Sequence, residues 1–384
     1  MSIARALTML AVLAGISGGI HYYFWVRLVR DTNLPGPWSR IATIALAVLA
    51  VLCVSWILFI RFVPRPVGAP ILWLTFTWFG VMFFAFVLLI PADIVRGIAM
   101  FASKSADPAR REFLSRAVGT AVSVGALGLS GVAAWSALRP VAIKRVPITL
   151  RRWSRALDGY RIVQMTDIHV GPTIGKSFIE QLVTKANGLQ ADMIVLTGDL
   201  VDGSVAELGP LCEPLRNLRA RDGVYFVTGN HEYYSGADEW IAFLGTLGVR
   251  VLRNERLPIR GEEGFDLAGV DDFRASDFGN GHGQDITKAL AGKDPNRPVV
   301  LLAHQPKAAP EASEKGVDLQ LSGHTHGGQL FPFTYLVSLE QPYVAGLYRR
   351  GDTQVYVSRG TGYWGPPMRL AAPAEITEVV ISAA

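Results

Sequence analysis

Two histidines one residue apart, His324 and His326, stand between glycines in SGHTHGGQL (322–330). Glycine costs order in a folded chain, so its repetition beside such side chains marks backbone that must pass close to something. Four other turns carry residues of the same kind. They read D-x-H (Asp167, His169), G-D (Asp199), G-N-H-E (Gly229 to Glu232, with Asn230 and His231) and a lone His304. Five of the seven histidines in the chain fall on these turns. The set is carboxylate, carboxamide and imidazole, without a thiolate. Such donors suit Mn, Fe, Zn, Co or Ni rather than a cysteine-rich structural zinc, so the chemistry indicated is that of bound divalent metal.

Something must bring these turns to one place. Each follows a short apolar run: RIVQMTDIHV (161–170), DMIVLTGDL (192–200), GVYFVTGNHE (223–232), VVLLAHQP (299–306) and VDLQLSGHTH (317–326). These read as strands that deliver a ligand at the C-terminal tip, where open α/β sheets place their sites. Between the first two runs, Ile179, Leu182, Val183, Ala186 and Leu189 repeat at helical spacing. QVYVSRG (354–360) and EITEVVIS (375–382) read as further strands. The pattern predicts an α/β sandwich.

The ordered set D-x-H, G-D, G-N-H-E, H, G-H-x-H resembles the calcineurin-like metallophosphoesterase family, over residues 160 to 384. SGHTHGGQ and the tail YVSRGTGYWGPPMR resemble its membrane-associated bacterial branch, which includes predicted phosphohydrolases and UDP-diacylglucosamine pyrophosphatases. The resemblance implies a β-sandwich flanked by helices and two metal ions. Asp167, His169 and His326 would hold the first ion, Asn230, His304 and His324 the second, and Asp199 would bridge both. His231 would meet the phosphate or the leaving group as the catalytic side chain. Asp202 and Glu232 would orient ligands. A purple acid phosphatase would carry Tyr three residues after the G-D aspartate, where this chain has Asp202, so a tyrosinate–iron centre is not expected. Two divalent ions would activate water and offset charge on a phosphoester under attack. Arg359 and Arg369, flanking GTGYWGPPM, are candidates for a phosphate-binding rim, with plain surface charge the alternative. His282 has no matching role and reads as a loop residue.

The remainder of the chain is of another kind. Half of the residues are hydrophobic. Four stretches without a charged residue, 6–26, 41–60, 71–90 and 117–138, are long enough to cross a bilayer core. The reading is therefore a membrane region, 1–145, with four transmembrane helices, and a metallophosphoesterase domain, 146–384. The first stretch also fits a signal peptide. Residues 1–145 hold 14 Lys and Arg against 4 Asp and Glu, and residues 146–384 hold 23 against 28. The excess of base belongs to membrane flanks, and no nucleic-acid partner is expected. His21, near the end of the first stretch, is read as reaching the headgroups. Cys53 and Cys212 read as two unpaired buried thiols.

Orientation is open on charge alone. Loops 27–40 and 91–116 carry eight basic residues, Lys104 among them, against three opposite, but the basic juncture 139–155 removes the difference. RREFLSRA (110–117) resembles a twin-arginine export signal, which puts the domain outside the cytoplasm. The juncture, with Arg139, Lys144, Arg145, Arg151, Arg152 and Arg155, offers a short tether and a surface for anionic lipid. Phe331, Phe333, Tyr335 and Leu336 read first as core and second as a membrane-facing rim. The function expected is a multi-pass phosphoesterase of the bacterial cytoplasmic membrane, acting on a phosphoester or pyrophosphate, lipid-linked ones included. Soluble phosphoesters, with the helices only an anchor, and a non-catalytic membrane sensor are the alternatives.

Overall fold

The computed structural model describes residues 3–102 and 107–384. Lys104 lies outside them. The chain divides into two units, Met1–Trp135 with Gly365–Met368, and Ser136–Trp364 with Arg369–Ala384.

The first unit is helical: α1 (Ile3–Phe24), α2 (Gly36–Phe62), α3 (Arg65–Ala102) and α4 (Pro108–Leu138). Three stretches are long and apolar enough to cross a membrane, Gly36–Ile60, Arg65–Ile98 and Pro108–Leu138. The expected count of four is thus corrected to three among the described residues. The first stretch does form α1, but His21, Tyr22, Tyr23 and the run Gly-Ile-Ser-Gly-Gly (15–19) interrupt its apolar character. On α2, Ile41, Ile44, Val48 and Val51 recur every three or four residues and are all exposed. In water that stripe would be unfavourable, and in lipid it is the expected face. His21 does not reach outward. It is buried, its Nε2 accepts from Trp78 Nε1 at 2.9 Å, and its Nδ1 lies 2.8 Å from the Ser17 carbonyl. Arg110 and Arg111 sit in the opening turn of α4.

The second unit is built on period-two burial. Its strands are β1 (Ala142–Leu150), β2 (Tyr160–Met165), β3 (Met193–Thr197), β4 (Val224–Val227), β5 (Arg250–Val251), β6 (Glu255–Ile259), β7 (Phe265–Gly269), β8 (Val299–Leu302), β9 (Leu319–Ser322), β10 (Gly346–Arg350), β11 (Thr353–Val357) and β12 (Glu375–Ala383). They form two six-stranded sheets, ordered β1-β12-β2-β3-β4-β5 and β10-β11-β9-β8-β7-β6. The site strands β2, β3 and β4 pair in parallel, and so do β8 and β9.

Alternate residues of one strand serve different cores. Ile162, Met193 and Val195 face Leu267, Val300, Leu302 and Leu321 between the sheets. Val163, Ile194, Leu196 and Phe226 point the other way. They meet α5 (Lys176–Gly188), α6 (Val205–Cys212) and α8 (Ala237–Thr246), which follows the short α7 (Asn230–Ser235). Val299 and Leu301 pack outside the second sheet on α9 (Ile286–Ala289) and α10 (Ala309–Glu314). The last helix, α11, runs from Thr334 to Glu340. Because both faces of the site strands are covered, they read as unbroken apolar runs.

The juncture is not a free tether. Lys144 and Arg145 lie on β1, which pairs in parallel with β12, and they reach Glu375 and Glu378 at 3.5 and 2.9 Å. Arg151 pairs with Asp352 at 2.9 Å and Arg152 with Asp318 at 2.6 Å. These four cations pair with carboxylates of the domain, with Arg145 and Arg151 remaining 67% and 71% exposed. Phe331, Phe333, Tyr335 and Leu336 are exposed, so their reading as core is also corrected.

The inter-sheet core has an aromatic centre. The fully buried Phe265 ring lies 4.9 Å from that of Trp153 and 5.2 Å from that of Tyr160. Phe265→Ala is expected to destabilise the domain by about 3–5 kcal/mol, through lost transfer energy and the cavity left behind. Denaturant titration of the full chain in detergent, followed by tryptophan emission, measures this.

Candidate functional site

Five strand tips meet at one end of the two sheets. β2 delivers Asp167 and His169, β3 Asp199 and Asp202, and β4 leads into α7 with Asn230, His231 and Glu232. From the second sheet, β8 delivers His304 and β9 His324 and His326. Asp167, His169, Asp199, Asn230, His304 and His326 are buried, and His231 and His324 are partly so.

Ligand-type atoms of Asp167, His169 and His326 lie within 4.8 Å of one another, as do those of Asp199, His304 and His324. His169 Nε2 and His326 Nε2 are 3.0 Å apart. His304 Nε2 is 3.1 Å from Asp199 Oδ2 and 3.2 Å from His324 Nδ1. Asp199 Oδ2 also lies 3.9 Å from His169 Nε2 and 4.0 Å from His231 Nε2, so this carboxylate stands between the two groups.

The tips bend sharply to do this. Asp167, His169, Asp199, His324 and His326 all have positive φ, between 50° and 71°. Non-glycine residues rarely adopt that conformation, and it costs on the order of 1–3 kcal/mol each. Two glycines leave the necessary room. A Cβ on Gly323 would lie 2.2 Å from Asp167 Oδ2, and one on Gly229 would lie 2.2 Å from Asp199 Oδ1.

Hydrogen bonds fix the ring orientations. His304 Nδ1 lies 2.7 Å from the Thr197 carbonyl, an acceptor only, so Nδ1 carries a proton and Nε2 is the atom turned toward Asp199. Asp202 Oδ1 stands 3.1 Å from His169 Nδ1 and 2.5 Å from His231 Nδ1. Asp202 is therefore occupied as an acceptor for two rings. Asp167 accepts the His324 backbone N–H at 2.9 Å and the Thr166 hydroxyl at 2.8 Å. Asp199 Oδ1 accepts the His231 N–H at 2.9 Å. Glu232 lies beneath, with Oε2 accepting from Gly229 N at 2.7 Å and Asp199 N at 3.0 Å, and Oε1 from Leu200 N at 2.8 Å.

The electrostatics follow from burial of unlike charges. Burial pushes the Asp167 carboxyl up, opposed by His304 and His169. Asp199 is as deeply buried, yet His304 and His231 hold it well below the usual carboxylate range. His304 rises well above the usual imidazole value because Asp199 outweighs burial. Burial, with the charge on His304, takes His324 down to about 3. His231 reaches about 9, since Asp199 and Asp202 overcome its burial.

Two observations fit divalent metal. Asn230 Oδ1 is buried and has no hydrogen-bond partner among the described residues. The converging donors are carboxylate oxygens, imidazole nitrogens and this carbonyl oxygen, a set that hard and borderline cations accept.

The two candidate arginines part company. Arg359 is half-buried and pairs with Glu375 at 3.2 Å. Arg369 is fully buried. It donates to the carbonyls of Gly362, Ala372 and His326 at 2.7, 2.8 and 3.3 Å, and its Nη2 lies 3.2 Å from His326 Nδ1. Its reading as a phosphate-binding rim residue is corrected, because its donors are spent bracing the His326 turn. His282 lies off the site, 2.6 Å from Arg253 and stacked edge-on against Tyr233. The exposed rings of Tyr234 and Trp364 stand 5.3 and 5.6 Å from the His231 ring. Trp364 belongs to the quoted GTGYWGPPM segment. Tyr234 carried only the signal of following G-N-H-E within three residues of His231.

A family model for calcineurin-like phosphoesterase matches residues 160–328. A Danio rerio transmembrane protein with metallophosphoesterase domain is 43% identical over 258 residues, 65% of this chain and 59% of that protein. An uncharacterized metallophosphoesterase of Helicobacter pylori is 40% identical over 274 residues, 70% of this chain and 71% of its own. The uncharacterized metallophosphoesterase YkuE of Bacillus subtilis is 31% identical over 281 residues, 70% of this chain and 96% of its own. The chain spans 59% and 60% of the length of the Danio rerio and Bos taurus relatives.

Glu232→Gln tests the support under Asp199. The amide keeps one acceptor oxygen and turns an N–H toward backbone donors. A stability loss of about 1–3 kcal/mol is expected from the unsatisfied groups. Denaturant titration reads it, and weaker retention of added Mn should accompany it.

Proposed function

Because the chain belongs to the calcineurin-like phosphoesterase family, we propose that it is a membrane-associated phosphohydrolase using two divalent ions. The observation that carries this reading is the position of Asp199, between the group Asp167, His169, His326 and the group His304, His324. Asp167, His169 and His326 would hold one ion, Asn230, His304 and His324 the other, with Asp199 shared. When bound, such ions supply Lewis acidity that activates water and offsets charge on the phosphoryl oxygens. Mn, Fe, Zn, Co and Ni all suit the donor set.

The protein side chains do the positioning. Asp202 accepts from Nδ1 of His169 and of His231, which leaves both Nε2 atoms turned inward. His231 Nε2–H is placed to donate to a phosphoryl oxygen or to the leaving oxygen, and the neighbouring carboxylates keep that proton on the ring. Glu232 fixes the backbone at Asp199, and Arg369 fixes the turn at His326. Tyr234 and Trp364 flank His231 and limit how a leaving group can enter. The substrate in this reading is a phosphoester or pyrophosphate carried at the membrane surface. The support is the candidate span Pro108–Leu138, which ends within four residues of β1. The spans are those of a bacterial cytoplasmic membrane, with the domain outside. The export-type RREFLSRA at the start of α4 supports that side whatever the number of earlier helices.

Asp199→Asn removes charge shared by both ions and is expected to abolish aryl-phosphoester hydrolysis and to lower bound metal. Elemental analysis of active wild-type protein should find two ions per chain, and one tightly held ion would falsify the dinuclear reading. For orientation, reporters fused after residue 160 should be active only outside the cytoplasm. A cytoplasmic signal in the wild type defeats that placement. Unchanged export in Arg110→Lys/Arg111→Lys would keep the placement and remove the twin-arginine route.

A further inference from the structure

The segment after the His324–His326 turn carries an apolar surface. Phe331, Tyr335, Leu336 and Leu339 are 45%, 66%, 58% and 83% exposed, and α11 contains no buried residue. Tyr335 and Leu339 are four residues apart and Leu336 and Leu339 three, so they share one side of the helix. The Phe331 ring continues that side, 5.8 Å from the Tyr335 ring. Ser338 and Glu340 flank it, and Glu340 is held by Lys307 at 2.8 Å.

A water-facing surface with that much leucine and aromatic area calls for an apolar partner. Chain connectivity says which one is at hand. Only three residues separate the candidate span Pro108–Leu138 from β1, which begins at Ala142. A domain tethered so closely never leaves the neighbourhood of the bilayer. Leucine with tyrosine and phenylalanine is the composition that settles at the boundary between headgroups and acyl chains.

We propose that the α11 side formed by Phe331, Tyr335, Leu336 and Leu339 inserts into the headgroup–acyl boundary of the membrane that the chain spans. The inference rests on the membrane-associated reading and needs neither the metals nor the substrate. It has a consequence for the site. Thr334 Oγ1 donates to the Gly327 carbonyl at 3.2 Å, and a Cβ on Gly328 would lie 2.4 Å from Thr334 Cα. The helix is thus locked to the turn that carries His324 and His326. Insertion holds that turn at headgroup depth, level with the phosphoester bonds of lipids.

The test uses the full chain in vesicles of phosphatidylcholine and phosphatidylglycerol. Nitroxide is attached in turn to Tyr335→Cys, Leu336→Cys, Ser338→Cys, Leu339→Cys and Glu340→Cys. Cys53 and Cys212 are buried, and labelling of the parent chain gives their background. Collision with oxygen is compared with collision with a water-soluble nickel chelate. Labels at 335, 336 and 339 should be oxygen-rich and several-fold less accessible to nickel than those at 338 and 340. Equal nickel access at all five overturns the proposal. Protection that disappears when the protein is diluted in lipid also overturns it, since a second copy is then the cover. If phosphoesterase activity proves absent while the nickel pattern holds, the functional reading fails and the insertion stands.

Discussion

Two carboxylates, Asp167 and Asp199, are buried together where water cannot solvate them, and much of the domain answers to that constraint. A lone buried carboxylate would take up a proton. Here His304 and His231 keep Asp199 well below the usual range, while Asp167 is pushed up beside it. No single loop could supply that many compensating groups around one point. Two sheets can, by aiming the tips of β2, β3, β4, β8 and β9 at the same spot. Five left-handed residues at those tips are the conformational cost, and a core packed on both faces of each site strand makes it bearable.

The same constraint explains the supporting residues. Glu232 is not an additional ligand in this geometry, since hydrogen bonds already use both its oxygens, while Asp202 Oδ1 accepts from the rings of His169 and His231. Arg369 is buried cationic charge placed behind His326, with three carbonyl partners. Burial, Asp167 and Glu375 act on its guanidinium in opposite senses, and burial prevails, lowering it to about 10.

The sequence made some parts of this readable for physical reasons. Strands covered on both faces leave unbroken apolar runs, and a site at strand tips leaves its ligands directly after them. Hence β2, β3, β4, β8 and β9 were legible together with every candidate ligand. β1 was not, because AIKRVPITL looks like a charged membrane flank until β12 supplies Glu375 and Glu378 opposite its bases. β5 is two residues long and β10 is largely exposed, so neither carries a hydrophobic pattern. Arg369 and the α11 residues were misread for a shared reason. An arginine beside glycine and proline looks the same on a surface as in a core, and so do phenylalanine and leucine after a turn. Only the fold decides which is which.

The order of the first sheet also governs when the domain can exist during synthesis. β12 lies between β1 and β2, so the strand that opens the domain is joined to the rest only through the strand that closes it. While residues 375–383 are still inside the ribosome, β1 has no neighbour and Ile162 and Val379 cannot meet across the sheet. The domain behind the helices therefore cannot close until its last strand has emerged. The two carboxylates are shut away from water only after β12 has been made and has emerged.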